Sequence, residues 1–201
     1  VHVNSKTART ARRTSVELIL ANHPLDCNNC SRNNNCELQT IASDMGITAS
    51  RFPRLVQEHP LDLSTSGLTR DMSKCILCRR CVTACQNIQQ VGVLAAQKRG
   101  FATIIGGGAK ANLAETTCVQ CGQCAAVCPV GAITEKDAIA DAWAALDDPK
   151  KHVVVHTAPA IRAALGECFG MPAGSRVTGK MVTALRRLGF DKVFDTNFAA
   201  D

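Results

Sequence analysis

The chain has 201 residues and a formal net charge of +6, with 46% hydrophobic residues but only 3% aromatic ones and no tyrosine. No window approaches the roughly 20 apolar residues of a membrane helix, the apolar run 16–21 is too short for a signal peptide and is broken by Glu17, and no nucleic-acid motif accompanies the basic excess. A helical membrane span, a cleaved leader and a nucleic-acid role are thereby set aside, and twelve cysteines are left as the dominant feature.

In chain order, residues 1–4 read as the end of a strand or a linker, and Val1 in place of Met marks a processed or partial chain. Residues 7–22 predict a helix with Ala8, Ala11, Val16, Leu18, Ile19 and Leu20 on its apolar face and Arg9, Arg12 and Arg13 on a solvated one. His23, Cys27, Cys30 and Cys36 follow with spacing H-x3-C-x2-C-x5-C, the intervening asparagines making a turn-prone loop. One imidazole and three thiolates suit structural zinc or an iron–sulfur cluster, and spacing alone favours iron only modestly. A helix over 37–45 ends at Gly46, and His59, followed by Pro60, reads as a surface or loop residue. Residues 61–69 predict an edge strand.

Two cysteine runs come next. Cys75, Cys78, Cys81 and Cys85 are spaced C-x2-C-x2-C-x3-C, and Cys118, Cys121, Cys124 and Cys128 repeat that spacing, with Pro129 after the last. This is the ligand pattern of two-cluster [4Fe–4S] ferredoxins, in which the fourth cysteine of each run serves the other cluster. One cluster is therefore expected on Cys75, Cys78, Cys81 and Cys128, and another on Cys118, Cys121, Cys124 and Cys85. Zinc knuckles have no use for a third cysteine at this spacing, and a disulfide framework belongs to short secreted chains. Each cubane with four thiolates carries about −2, and were the His23 group to hold a third it would carry about −1, so the loaded protein would then sit near +1. The basic excess thus balances cluster charge in large part.

Between the runs, residues 91–95 and 101–105 predict a hairpin around Lys98, Arg99 and Gly100. Gly106, Gly107 and Gly108 lack the lysine and hydroxyl ending of a phosphate loop and read as a flexible loop. Residues 134–146 predict a helix capped by Thr134, with Ile139, Trp143 and Leu146 inward and Trp143 packed on the ferredoxin-like core. Beyond a polar linker at 147–151, the tail reads as strand 153–155, helix 160–169, helix 177–188 ending at Gly189, and strand 191–195. That is the start of an α/β domain. Cys168, the one cysteine outside the three groups, is expected as a small buried side chain on its helix.

The stretch His23-Pro-Leu-Asp-Cys27-Asn-Asn-Cys30, closing with Cys36-Glu-Leu-Gln39, resembles the histidine-ligated [4Fe–4S] module shared by iron-only hydrogenases, the large iron–sulfur subunit of respiratory NADH dehydrogenase and some formate dehydrogenases. The resemblance implies that His23 is a cluster ligand. The tail discriminates among these families. Thr157-Ala-Pro-Ala-Ile-Arg162, Gly166-Glu-Cys-Phe-Gly-Met-Pro172 and the segment 177–195 resemble the opening of the catalytic domain of iron-only ([FeFe]) hydrogenases, with Ala158, Pro159 and Ala160 implied beside the active-site H-cluster.

The expectation is an α+β chain in three parts: a histidine-ligated [4Fe–4S] module at 1–60, a bacterial-type two-[4Fe–4S] ferredoxin-like domain at 61–148, and the incomplete start of the catalytic domain at 149–201. The resemblance implies three [4Fe–4S] clusters here, with a [2Fe–2S] cluster and the H-cluster supplied by a longer parent. It places the four H-cluster cysteines downstream, so no catalytic residue is expected within these residues. It implies a cytoplasmic hydrogenase subunit exchanging electrons with NAD(P) through a flavin- and NAD(P)-binding partner and a small [2Fe–2S] subunit, or with ferredoxin. The alternatives are a stand-alone iron–sulfur electron-transfer protein, which would leave the apolar tail exposed, and an NADH or formate dehydrogenase subunit, against which the tail speaks.

Overall fold

A computed structural model describes residues 2–108 and 112–200. The chain forms two compact units, Val1–Lys136 and Asp137–Asp201.

In the first unit, helix α1 (Lys6–Ala21) starts where the Ser5 hydroxyl accepts the Ala8 N–H. Its inward face carries Leu20, Ala21 and also Glu17, whose side chain is only 1% exposed. Arg13 and Arg51 both donate to the Glu17 carboxylate, at 3.0 and 2.6 Å, and the Ser50 hydroxyl donates to its backbone oxygen. Glu17 thus fastens α1 to residues 50–51. Arg13, expected on a solvated face, also donates to the Met45 carbonyl. Helix α2 (Glu37–Asp44) buries Leu38 and Ala42 and gives way to Gly46 at φ +60°, where the left-handed turn favours glycine.

Strand β1 (Leu68–Arg70) pairs antiparallel with β4 (Ile133–Glu135), with Thr69 opposite Thr134. The edge strand expected over 61–69 is real only at its end. Asp62 bridges back to Arg70, so the segment between them folds into a loop. The hairpin between the cysteine runs is formed by β2 (Ala95–Gln97) and β3 (Ile104–Gly106), antiparallel and starting later in each arm than the sequence pattern indicates. The reason is local. The N–H groups of Val91 and Gly92 both donate to the Cys85 carbonyl, and Gln86 donates to that of Leu94, so residues 91–94 are occupied in closing the preceding helix. The core of this unit gathers Leu68, Leu94, Ile105, Leu113, Val130 and Ile133 with Cys81, Cys124 and Cys128.

The helix expected from Thr134 is corrected: residues 133–135 are strand β4, and helix α5 spans Ile139–Leu146. Thr134 is held by the ladder to β1, and the side chain of Asp137 accepts the Ile139 N–H instead. Ile139 and Trp143 are not inward. They are 64% and 47% exposed, and only Leu146 of the three is half-buried.

In the second unit, β5 (Val154–Thr157) pairs in parallel with β6 (Lys192–Asp195), connected through the short α6 (Ile161–Ala164), a 3-10 turn at Leu165–Phe169 and α7 (Thr178–Leu188). This is the strand–helix–helix–strand order read from the sequence. Gly189 ends α7 at φ +109°, and α8 (Thr196–Ala200) follows β6. The two-stranded sheet remains partly accessible, with Val154 52% exposed. Cys168 is exposed, not buried as expected, because the second half of its helix winds as a 3-10 turn with only Gly166 buried.

Candidate metal centres

The two cysteine runs fold into near-copies of one another. A 3-10 turn precedes each: Met72–Lys74 before Cys75, and Leu113–Glu115 before Cys118. Within each loop the N–H two residues on donates to the first thiol, Leu77 to Cys75 Sγ and Gln120 to Cys118 Sγ, both at 3.4 Å. The same two places in each loop take the left-handed conformation: Leu77 and Arg79 in the first, Gln120 and Gly122 in the second. Three non-glycine residues adopt this region at about 1–2 kcal/mol each, because wrapping three thiols round one volume needs a backbone that reverses direction twice. Each loop then enters a short helix, α3 (Arg80–Thr83) or α4 (Gln123–Ala126). The copies diverge at the fourth cysteine. After α3 the chain widens into a π-helical turn, Ala84–Ile88, that carries Cys85. After α4 it closes at once, with Cys128 N–H donating to the Ala125 carbonyl.

The thiols collect in narrow pockets. Cys75, Cys78, Cys81 and Cys128 line one pocket, walled by Met72, Ile76, Ile105, Val130, Ala132 and Ile133. Cys118, Cys121, Cys124 and Cys85 line a second, beside Leu68, Val93, Leu94 and Leu113. In each case the fourth cysteine of one run stands with the first three of the other. His23, Cys27, Cys30 and Cys36 line a third, more open cavity of about 400 Å³, shared with Asp26, Arg32, Asp71 and Lys74. His59, read from the sequence as a loop residue, is half-buried and also borders this cavity.

All twelve cysteines are free thiols. Burial pushes Cys75 up from the ordinary thiol range, Cys81 to about 12 and Cys124 to about 11, neighbouring thiols adding to the effect for Cys81. Such thiols are protonated at neutral pH, so taking up metal means releasing protons. Burial lowers His23 below its ordinary value, outweighing the opposing pull of the Lys74 backbone, and so favours the neutral imidazole that can ligate. Its Nδ1 is buried and has no hydrogen-bond partner among the described residues. A buried nitrogen without a partner, facing a cavity with three thiols, is the donor set a cluster uses and one a plain protein interior avoids. Among the described residues no three metal-binding side chains converge as a single ion needs.

The histidine cavity and the first cysteine pocket are stitched together. Glu37 N–H donates to the Pro129 carbonyl, Arg32 Nη2 to the Cys128 carbonyl at 2.6 Å, and Arg80 pairs with the Glu37 carboxylate. Gly131 sits at the seam, where an added Cβ would lie 3.2 Å from Cys30 Sγ and 3.5 Å from Arg32 Cγ. Sequence reasoning missed Arg32, Gly131 and the buried pair of Arg70 with Asp62. Arg70 Nη1 donates to Asp62 at 2.9 Å and Nη2 to the Ile105 carbonyl at 2.8 Å. Only the position of Arg32 between Cys30 and Cys36 could have signalled a role at the site. Ala158, Pro159 and Ala160 form the exposed turn between β5 and α6.

Repeated thiol loops, crossed fourth cysteines and a third thiol–imidazole cavity define an iron–sulfur protein of the electron-relay class. Comparisons with known proteins agree. The NADH-ubiquinone oxidoreductase-G iron-sulfur binding region matches residues 12–51, the 4Fe-4S dicluster domain matches residues 74–132, and the C-terminal domain of the iron only hydrogenase large subunit matches residues 151–201. Along its whole length the chain is similar to iron-only hydrogenases. It is 50% identical over its full length to the NADP-reducing hydrogenase subunit HndD of Solidesulfovibrio fructosivorans and 40% identical to iron hydrogenase 1 of Clostridium pasteurianum, spanning 34% and 35% of those proteins. A crystal structure of an NAD+-reducing [NiFe]-hydrogenase in the H2-reduced state overlaps 67% of this chain and 58% of its own, with a TM-score of 0.63 and 32% identity. Among the described residues no helix is long and apolar enough to cross a membrane.

Proposed function

We propose that the chain is the electron-relay portion of an iron-only hydrogenase catalytic subunit whose parent interconverts H2 with protons and electrons. The observation that carries this reading is the sorting of eleven cysteines and His23 onto three separate cavities within one compact unit. In this reading His23, Cys27, Cys30 and Cys36 hold the first [4Fe–4S] cluster. Cys75, Cys78, Cys81 and Cys128 hold the second, and Cys118, Cys121, Cys124 and Cys85 the third. The clusters supply one-electron redox chemistry. The chain's own part is to fix their positions, exclude water with apolar walls and offer N–H donors to their sulfurs. The three modules are residues 1–60, 61–148 and 149–201, with Ala158, Pro159 and Ala160 placed toward an H-cluster whose cysteine ligands lie outside these residues.

The parent is expected to hold a [2Fe–2S] cluster and the H-cluster, to work in the cytoplasm, and to exchange electrons with NAD(P) through a flavin- and NAD(P)-binding subunit and a small [2Fe–2S] subunit, or with ferredoxin. Support comes from similarity, over all of this chain and 34% of the relative, to a subunit named as NADP-reducing. The test is iron content and electron paramagnetic resonance of the parent with His23→Ala. About twelve irons per chain from these three sites should fall to about eight, and one signal of three should vanish. Loss of zinc, or three unchanged signals, would refute the ligand set.

A further inference from the structure

We propose that Arg32 is the counter-charge and N–H donor of the cluster at His23, Cys27, Cys30 and Cys36, setting its potential while holding it to the Cys128 site. This rests on the ligand set proposed above.

Two cations line the histidine cavity, Lys74 and Arg32. The Lys74 ammonium is already neutralised, with Asp71 at 3.1 Å. Among the described residues no carboxylate lies within ion-pair distance of Arg32. Its side chain is fixed at one end, where Nη2 donates to the Cys128 carbonyl at 2.6 Å. Its Nε is buried and has no acceptor. A buried donor left without a partner is unfavourable, and a charge without a counter-charge more so, and both call for an acceptor that the described residues do not supply. The cavity it borders is where three thiolates and a sulfide-bearing core would bring negative charge and sulfur acceptors. Gly131 packs at the same seam, where an added Cβ would press on Cys30 Sγ at 3.2 Å and touch Arg32 Cγ at ordinary contact distance.

Reduction adds one electron to the core, supplied by a one-electron carrier, with no bond made or broken, and leaves the site more negative by one charge. A guanidinium with no carboxylate in ion-pair contact, Glu37 acting on it only at longer range while paired with Arg80, stabilises that reduced form more than the oxidised one and so raises the potential, the lever that charge and hydrogen bonds to sulfur exert on such clusters. Fastening to the Cys128 carbonyl makes the same side chain a fixed strut between the first and second sites.

The test is a redox titration of the iron-loaded parent protein, followed by electron paramagnetic resonance. The signal abolished by His23→Ala should titrate at lower potential in Arg32→Met. It should shift less in Arg32→Lys, which keeps the charge, while the signal of the Cys118, Cys121, Cys124 and Cys85 cluster stays in place. An unchanged potential at full iron content overturns the proposal. Should Arg32→Met fail to load iron, wild-type protein with nitrogen-15 in its arginines decides. A nitrogen-15 coupling in the His23-dependent signal supports the proposal, and its absence refutes it. Wild-type protein with no His23-dependent signal at all overturns the ligand set and this proposal together.

Discussion

Removing the Asp62 carboxylate should damage the first unit more than removing any exposed charge in it. The Arg70 side chain is only 5% exposed and that of Asp62 11%, so neither can turn to water when the other is lost. Asp62 also accepts the Leu113 N–H at 3.0 Å and the Ser64 N–H at 3.1 Å. Asp62→Ala therefore leaves a buried guanidinium without its counter-charge and two N–H groups without an acceptor, a loss of about 3–5 kcal/mol, or roughly 150- to 5,000-fold in the opening equilibrium. Because the pair ties β1, which leads into Cys75, to the turn that leads into Cys118, the damage should reach both cysteine loops. Cluster loss makes global unfolding irreversible, so the assay is amide hydrogen exchange of the loaded protein. Peptides covering residues 62–70 and 104–118 should lose protection together. Asp62→Ala combined with Arg70→Met should be less damaging than Asp62→Ala alone, because no charge is stranded. A loss below about 1 kcal/mol, or additive effects in the double variant, would refute the reasoning.

The same carboxylate predicts acid sensitivity. Burial pushes Asp62 up, but the Ser64 hydroxyl and N–H, the Leu113 N–H and Arg70 outweigh it and hold the group below its ordinary value. Its contribution is therefore full above the unfolded value near about 3.9 and is lost as pH falls below it, which exchange rates measured between about pH 6 and 3 should show. Glu17→Ala should cost less, about 1–2 kcal/mol in exchange protection of α1, because its partners Arg13 and Arg51 are 44% and 61% exposed and can turn to water. Cys128→Ser should perturb the resonance of the cluster proposed on Cys75, Cys78 and Cys81 and spare that of the Cys118 set. The reverse pattern would overturn the crossed assignment. Gly189→Ala should destabilise the second unit by about 1 kcal/mol or more, since φ +109° is strained for any side chain, and the exchange protection of α7 and β6 should fall accordingly.

Legibility from the sequence followed the range of the interactions. The twin spacing of the cysteines and the position of His23 are local signals, and the fold places each group round its own cavity. The helices over α1, α2 and α7 likewise announce themselves through periodicity and end signals. What escaped depends on partners distant in the chain. Thr134 begins a plausible helix until Thr69 claims it for a ladder. Glu17 looks like a charge interrupting an apolar run, although Arg13 one turn away hinted at its pairing, and the other partner is Arg51. Arg70 is buried against residues at both 62 and 105, and Arg32 reaches across to Cys128, pairings that no periodicity encodes.

The pairing of β1 with β4 has a consequence for how such chains arise. Residues 68–70 and 133–135 lie side by side, so the stretch carrying the two cysteine runs, Cys75 to Cys128, leaves and returns at neighbouring points of one ladder. A segment whose two ends meet can be spliced into another polypeptide without stretching what lies on either side, and its thiols travel with the scaffold that arranges them. The strand pair acts as the clasp of a transferable cassette.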